Sequence, residues 1–148
     1  MLFRSLIPQG DQASRLGLVR LARMANVFQV LDDDPIMLRQ VEHMLKAFGH
    51  VETCSVASQF LERYFKYAPN AVFVDIHLRG ENGAAMTGAL LAKVDPNAHV
   101  IMISADAIKE NILQSKTNGA KGFLCKPINR EQLCRCVLSA PTFVPRKP

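Results

Sequence analysis

The chain alternates short apolar runs with longer stretches in which apolar residues recur every three or four positions. Residues 27–31 are a run of β-formers bounded by charge and read as a strand. Met37, Val41, Met44, Leu45 and Phe48 then recur at helix spacing. Asp34 is typed as the N-cap of that helix, Pro35 as its first residue and Gly49 as its stop. Residues 51–54 read as a second strand. Residues 58–66 read as a helix with Phe60, Leu61, Tyr64 and Phe65 on one side. After Pro69-Asn70 breaks the chain, "AVFVDI" gives a third strand, apolar until Asp75. "RGENG" reads as a loop, 84–94 as a helix and Asp95-Pro96-Asn97 as a turn. "HVIMIS" is a fourth strand, apolar until Ser104. Ile108, Ile112 and Leu113 mark a fourth helix that stops at Asn118-Gly119. "GFLC" is a fifth strand ending at Lys126-Pro127. A last helix starts at the Asn129 cap, with Gln132 three residues later and Ile128 placed to staple onto Leu133, and runs to about residue 138.

This is five β-α units. Strands that are apolar throughout have both faces covered, which means a parallel sheet with helices on each side. The expected fold class is therefore α/β: a flavodoxin-like, doubly wound, five-stranded parallel sheet in the order 2-1-3-4-5, with right-handed crossovers. The expected organisation is one domain over residues 26–140. Residues 1–25 are set apart as a basic N-terminal extension, flexible or weakly helical. Residues 141–148 are set apart as a loose tail or the start of a linker.

Composition changes this picture little. The 148 residues suffice for one domain with a real core, and the formal charge of +5 is carried by the ends. Residues 1–23 hold four arginines and one aspartate, and 146–148 add two basic residues, leaving 24–145 balanced at 12 basic and 12 acidic side chains. The body thus has no nucleic-acid footprint, and no direct nucleic-acid binding by this domain is expected. No run of about 18 apolar residues is present, so no membrane association is expected. The arginine-rich start is typed as a transit peptide, an amphipathic surface helix or a disordered arm. Cys54, Cys125, Cys134 and Cys136 form no CxxC and no zinc spacing, and read as small apolar thiols. No GxGxxG or Walker sequence follows any strand, so nucleotide binding has no support.

In an open α/β sheet, ligands bind beyond the carboxyl ends of the strands. The residues that follow the central strands are Asp32, Asp33 and Asp34, then Asp75, Ser104 and Lys126. Asp32, Asp33 and Asp75 would repel one another, and a hard cation such as Mg²⁺ relieves that. A carboxylate beside Mg²⁺ can also attack phosphorus and form an aspartyl phosphate. Ser104 can donate to one phosphoryl oxygen and Lys126 can pair with another. Asp34 is assigned a different task, as the helix cap beside Pro35.

Over residues 26–140 the chain resembles the CheY-like receiver domains of two-component response regulators. The resemblance rests on "LDDDP", on "VFVDIHLRGENG" with Gly83 eight residues after Asp75, on "VIMISADA" and on "GAKGFLCKPI". It implies that Asp75 is the phosphoacceptor, with Ser104 and Lys126 as its catalytic partners. Mg²⁺ is then held by Asp33 directly, Asp32 through water, Asp75 and the backbone carbonyl of His77. Ser104 and Phe123 form the switch, and the Lys126–Pro127 bond is cis. His77 and Asp106 occupy the positions that tune phosphate lifetime. The family's usual Met-Pro after the phosphoacceptor is here Leu78-Arg79, which loses the proline's stiffness.

The resemblance further implies a cytoplasmic phosphoprotein that receives a phosphoryl group from a sensor histidine kinase or histidine phosphotransfer protein. Its catalysis is confined to its own phosphorylation and dephosphorylation, so it is not expected to be an enzyme. Phosphorylation would alter the face built from the fourth helix, fifth strand and fifth helix, where Lys109, Gln114, Lys121, Phe123 and Arg135 lie. That face would serve a downstream protein target, a fused output domain or a homodimer. Two rival readings stand beside it. One is a receiver-like interaction module that is never phosphorylated. The other is an aspartate-nucleophile phosphohydrolase, against which "DIH" lacks the second acid of a DxD motif.

Overall fold

The structure, a computed structural model, describes residues 9–106 and 109–145. Its elements in chain order are α1 (Gln9–Ala22), β1 (Asn26–Leu31), α2 (Pro35–Leu45), β2 (Gly49–Cys54) and α3 (Phe60–Tyr67, after a short 3₁₀ turn). They continue with β3 (Ala71–Asp75), β4 (His77–Leu78), β5 (Glu81–Asn82), α4 (Gly83–Lys93), β6 (Val100–Ser104), α5 (Lys109–Thr117), β7 (Gly122–Cys125) and α6 (Arg130–Leu138). Five strands form one sheet in the order β2-β1-β3-β6-β7, every neighbouring pair parallel. This is the 2-1-3-4-5 order expected from the sequence, because β4 and β5 pair only with each other.

Each sheet face carries its own core. On one face Phe28, Val30, Phe73, Ile101, Ile103 and Leu124 pack against Val41 and Leu45 of α2 and Leu133 and Val137 of α6. On the other, Leu31, Val72, Val74, Val100 and Met102 pack against Phe60 and Tyr64 of α3 and Leu90 of α4. Successive strand residues point to opposite faces, so uninterrupted apolar strands feed both cores at once. Gln29 is the polar residue inside the apolar run of β1. It is fully buried, its Nε2 donates to the Phe60 carbonyl at 3.2 Å, and its Oε1 has no partner.

Both assigned caps form. Asp34 accepts from the Ile36 N–H at 2.9 Å with Pro35 opening α2, and Asn129 accepts from the Gln132 N–H at 3.0 Å. Asp34→Ala should lower stability by about 1 kcal/mol in urea denaturation and leave the acidic rim intact. Gly49 is a correction. The helix ends at Leu45, and Gly49 opens β2, where an added Cβ would lie 2.3 Å from the Asn26 carbonyl oxygen. Close approach to β1, not helix termination, requires glycine there. The "RGENG" loop is a second correction, since its Arg79-Gly80 turn, with Gly80 at φ of 71°, leads into β5, which pairs with β4 as a hairpin.

The described segments that flank the domain, residues 9–25 and 141–145, are tied to it. Within the extension set apart as flexible or weakly helical, residues 9–22 form a helix that delivers Leu16 to the core. Arg20 Nη2 lies 2.7 Å from Asp95 Oδ2 and 2.6 Å from the Tyr64 hydroxyl oxygen, and Arg20 Nε donates to the Pro69 carbonyl. Arg23 donates to the Tyr67 and Ala68 carbonyls at the C-terminus of α3, where a cation complements the helix dipole. Two of the four arginines in the basic N-terminal segment therefore bind groups of the domain. In the tail, Val144 exchanges two hydrogen bonds of 2.7 Å with the Asn26 side chain, Thr142 accepts from Asn70, and Phe143 meets Phe48 edge-on. Residues 1–8 and 146–148 lie outside the described residues.

Candidate functional site

Asp32 and Asp33 follow β1, Asp75 and Ser104 end β3 and β6, and Lys126 follows β7, so all five meet at the carboxyl rim of the sheet. β1 and β3 flank the point where the strand order reverses, the usual binding crevice of this architecture. Asp32, Asp33 and Asp75 each bring a carboxylate oxygen into a group spanning no more than 4.8 Å. Asp32, Asp75 and Ser104 are buried, and Asp33 is half-buried.

Local backbone bonds set the orientation of each group. Asp32 Oδ1 accepts from the Asp34 N–H at 2.9 Å, and Asp75 Oδ1 accepts from the His77 N–H at 3.2 Å. Ser104 Oγ accepts from the Asp106 N–H at 3.0 Å, which leaves its own proton available. Gly83 crosses behind Asp75. A Cβ there would come within 2.1 Å of the Asp75 carbonyl oxygen, which is why glycine stands eight residues after Asp75. The Lys126–Pro127 bond is cis, as the resemblance implied.

Lys126 is the cation that reaches between the buried carboxylates. Its Nζ lies 3.1 Å from Asp32 Oδ2 and 3.5 Å from Asp75 Oδ2. The approach to Asp32 is poorly aligned, and Asp32 Oδ2 is buried with no hydrogen-bond partner. Burial pushes the Asp75 carboxyl above its ordinary range, and the neighbouring Asp32 pushes it further, against the pull of Lys126. Burial alone would lower the Lys126 ammonium, but Asp32 and Asp75 together outweigh it and raise it. Three crowded acids therefore share one lysine, whose single charge does not balance theirs. That donor set, hard oxygens in a half-open pocket, fits Mg²⁺.

The remaining residues singled out in the sequence are placed as follows. Phe123 is half-buried on β7 beside Met102 of β6 and packs on the core. Gln114, Lys121 and Arg135 are exposed, and Arg135 pairs with Glu131 at 2.7 Å. The side chain of Lys109 lies outside the described residues. His77 and Asp106 are exposed at the rim. All four cysteines are free thiols. A contact the sequence reading missed is the Arg79 N–H, which donates to Asp33 Oδ2 at 2.9 Å. The signal was the missing proline, which also means a backbone donor gained. An apolar cavity of about 360 Å³ lined by Met24, Asn26, Phe48, Gly49 and Val144 lies at the opposite end of β1, and none of the rim residues lines it. No helix among the described residues is long and apolar enough to cross a membrane.

A flavodoxin-like α/β domain with a buried acidic pocket at its switch point is thus defined by structure alone. The chain belongs to the response regulator receiver domain family of two-component systems, whose family model matches residues 28–138. It is 26% identical over 111 residues to the transcriptional regulatory protein MctR of Rhizobium johnstonii, covering 73% of this chain and 51% of that protein. It is 31% identical over 112 residues to the sensory/regulatory protein RpfC of Xanthomonas campestris, covering 72% of this chain and 15% of that protein. It is 31% identical over 106 residues to the two-component response regulator ORR24 of Oryza sativa, covering 70% and 17%. The chain thus spans from 15% to 51% of the length of these relatives. Among solved structures, the chemotaxis protein CheY4 of Vibrio cholerae superposes with a TM-score of 0.72 at 22% identity, covering 78% of this chain and 98% of that one. The BeF3-activated DrrB receiver domain superposes at 0.71 with 27% identity, covering 78% and 96%.

Proposed function

We propose that this domain is a phosphorylation switch whose phosphoacceptor is Asp75. The observation that carries the reading is the gathering of Asp32, Asp33 and Asp75 at one rim, where the single ammonium of Lys126 pairs with Asp32 and Asp75. A histidine kinase or histidine phosphotransfer protein presents a phosphohistidine. A carboxylate oxygen of Asp75 attacks phosphorus, so that a P–O bond forms as the P–N bond breaks and the imidazole departs with the electron pair. Lys126, 3.5 Å from Asp75, is placed to pair with a phosphoryl oxygen once the group arrives. The Ser104 hydroxyl is placed to donate to another. Mg²⁺, held by Asp33, Asp32, Asp75 and the His77 carbonyl, would supply charge neutralisation for the remaining oxygens.

The consequence is conformational. As Ser104 moves toward the phosphoryl group, Phe123 turns inward and the surface of α5, β7 and α6 changes its affinity for a protein target, an output domain or a second copy. The domain turns over no external substrate and acts in the cytoplasm. The test is labelling with a small acyl phosphate donor. One phosphoryl group per chain should be taken up with Mg²⁺ present and none after chelation. A chain that takes no label, and that beryllofluoride leaves unperturbed with Mg²⁺ present, would instead be a phosphorylation-independent interaction module.

A further inference from the structure

The β4–β5 hairpin touches the acidic cluster at Asp33. Leu78 pairs with Glu81 across a turn whose inner residues are Arg79 and Gly80, and Gly80 has φ of 71°. That conformation is the third position of a type II turn, whose second position tolerates and often carries proline. Arg79 occupies the second position with a free N–H, and this N–H donates to Asp33 Oδ2 at 2.9 Å. The guanidinium adds little: it is 97% exposed and its Nε lies 3.9 Å from the same oxygen.

We propose that the backbone N–H of Arg79 is a positioning group for the metal ligand Asp33. The hairpin holds Oδ2 of Asp33 and so fixes the carboxylate that offers an oxygen within 4.8 Å of those of Asp32 and Asp75. Asp32 is held by its own Asp34 N–H and Asp75 by the His77 N–H, so Arg79 supplies the corresponding bond for the third carboxylate. Hydrogen bonds to ligating carboxylates commonly contribute about 10–100-fold to metal affinity. A proline at residue 79 could not supply this bond, so the departure from the family's Met-Pro makes the hairpin part of the metal site.

This inference rests on the Mg²⁺ reading above, and titration calorimetry of the unphosphorylated protein with Mg²⁺ separates the two. R79P keeps the turn and removes the N–H; Leu78 before it is already extended, as a residue preceding proline must be. It should bind Mg²⁺ about tenfold more weakly than wild type. R79A keeps the N–H and should stay within about twofold of wild type, as expected for an exposed guanidinium. R79P binding as tightly as wild type, or more tightly, overturns the proposal while leaving the Mg²⁺ reading intact. Wild type failing to bind Mg²⁺ overturns both. Should R79P melt early, G80A gives a second route. It meets no atom within 4 Å but strains the positive φ that aims the N–H. Undiminished Mg²⁺ affinity in G80A would also overturn the proposal.

Discussion

Asp75→Asn should take up no phosphoryl group from any donor, with Mg²⁺ present or absent, where wild type is expected to take up one. The expected loss is complete because the amide has no nucleophilic carboxylate oxygen. Ser104 and Lys126 do not substitute for it; one is a fully buried hydroxyl, the other an ammonium held protonated by two acids. The same variant carries a second, opposite effect. Asp75 is buried beside Asp32, and both burial and that neighbour raise its pKa. The folded state then binds this proton more readily than the unfolded chain does, so ionised Asp75 costs stability wherever the pH lies above the folded value. The cost fades as the pH falls through that value and is gone below the ordinary 3.8. Without Mg²⁺, Asp75→Asn should therefore be more stable than wild type at neutral pH, with the difference closing on acidification. Mass spectrometry of the acyl phosphate and urea denaturation at two pH values test the two effects separately. Label persisting on the Asn variant would place the phosphoacceptor elsewhere.

The rim was legible because its signals are local. A strand that stays apolar until one acid, hydroxyl or ammonium announces both its direction and its functional end, and the sheet order then brings those ends together. Asp34 and Asn129 were legible for the same reason, since a cap is made with residues two or three positions away. The β4–β5 hairpin was not, because two-residue strands are too short to show a period of two. Nor was the Arg79 bond to Asp33, made across 46 residues by a backbone group that exists whatever side chain is present. Gly49 was misread since a helix stop and a close strand contact both favour glycine, and only the position of Asn26 tells them apart. The interior roles of Arg20 and Arg23 were not legible because their acceptors lie 44–75 residues downstream.

Those arginines carry the largest effect on stability. Arg20 is 5% exposed and Asp95 fully buried, and their contact of 2.7 Å is made in the protein interior, where salt screens little. Arg20→Met keeps much of the apolar stem and removes the charge. Asp95 would then keep the Asn97 N–H on Oδ1 and the Tyr64 hydroxyl on Oδ2, but its buried charge would be uncompensated. Breaking one side of such a pair costs about 3–5 kcal/mol, a large share of a small domain's stability. Removing the charge on both sides should cost less. In Arg20→Met with Asp95→Asn, neither charge is stranded, and the double variant should recover a substantial part of the loss. The interaction energy from the cycle would exceed about 1 kcal/mol, as for residues in direct contact. If α1 were only a loosely attached arm, Arg20→Met would stay within about 0.5 kcal/mol of wild type and the cycle would show no coupling. Urea denaturation of the four proteins decides between these outcomes. A large loss with strong coupling makes α1 a structural part of this receiver domain, joined through Asp95 and Tyr64 to the ends of the two helices it packs against.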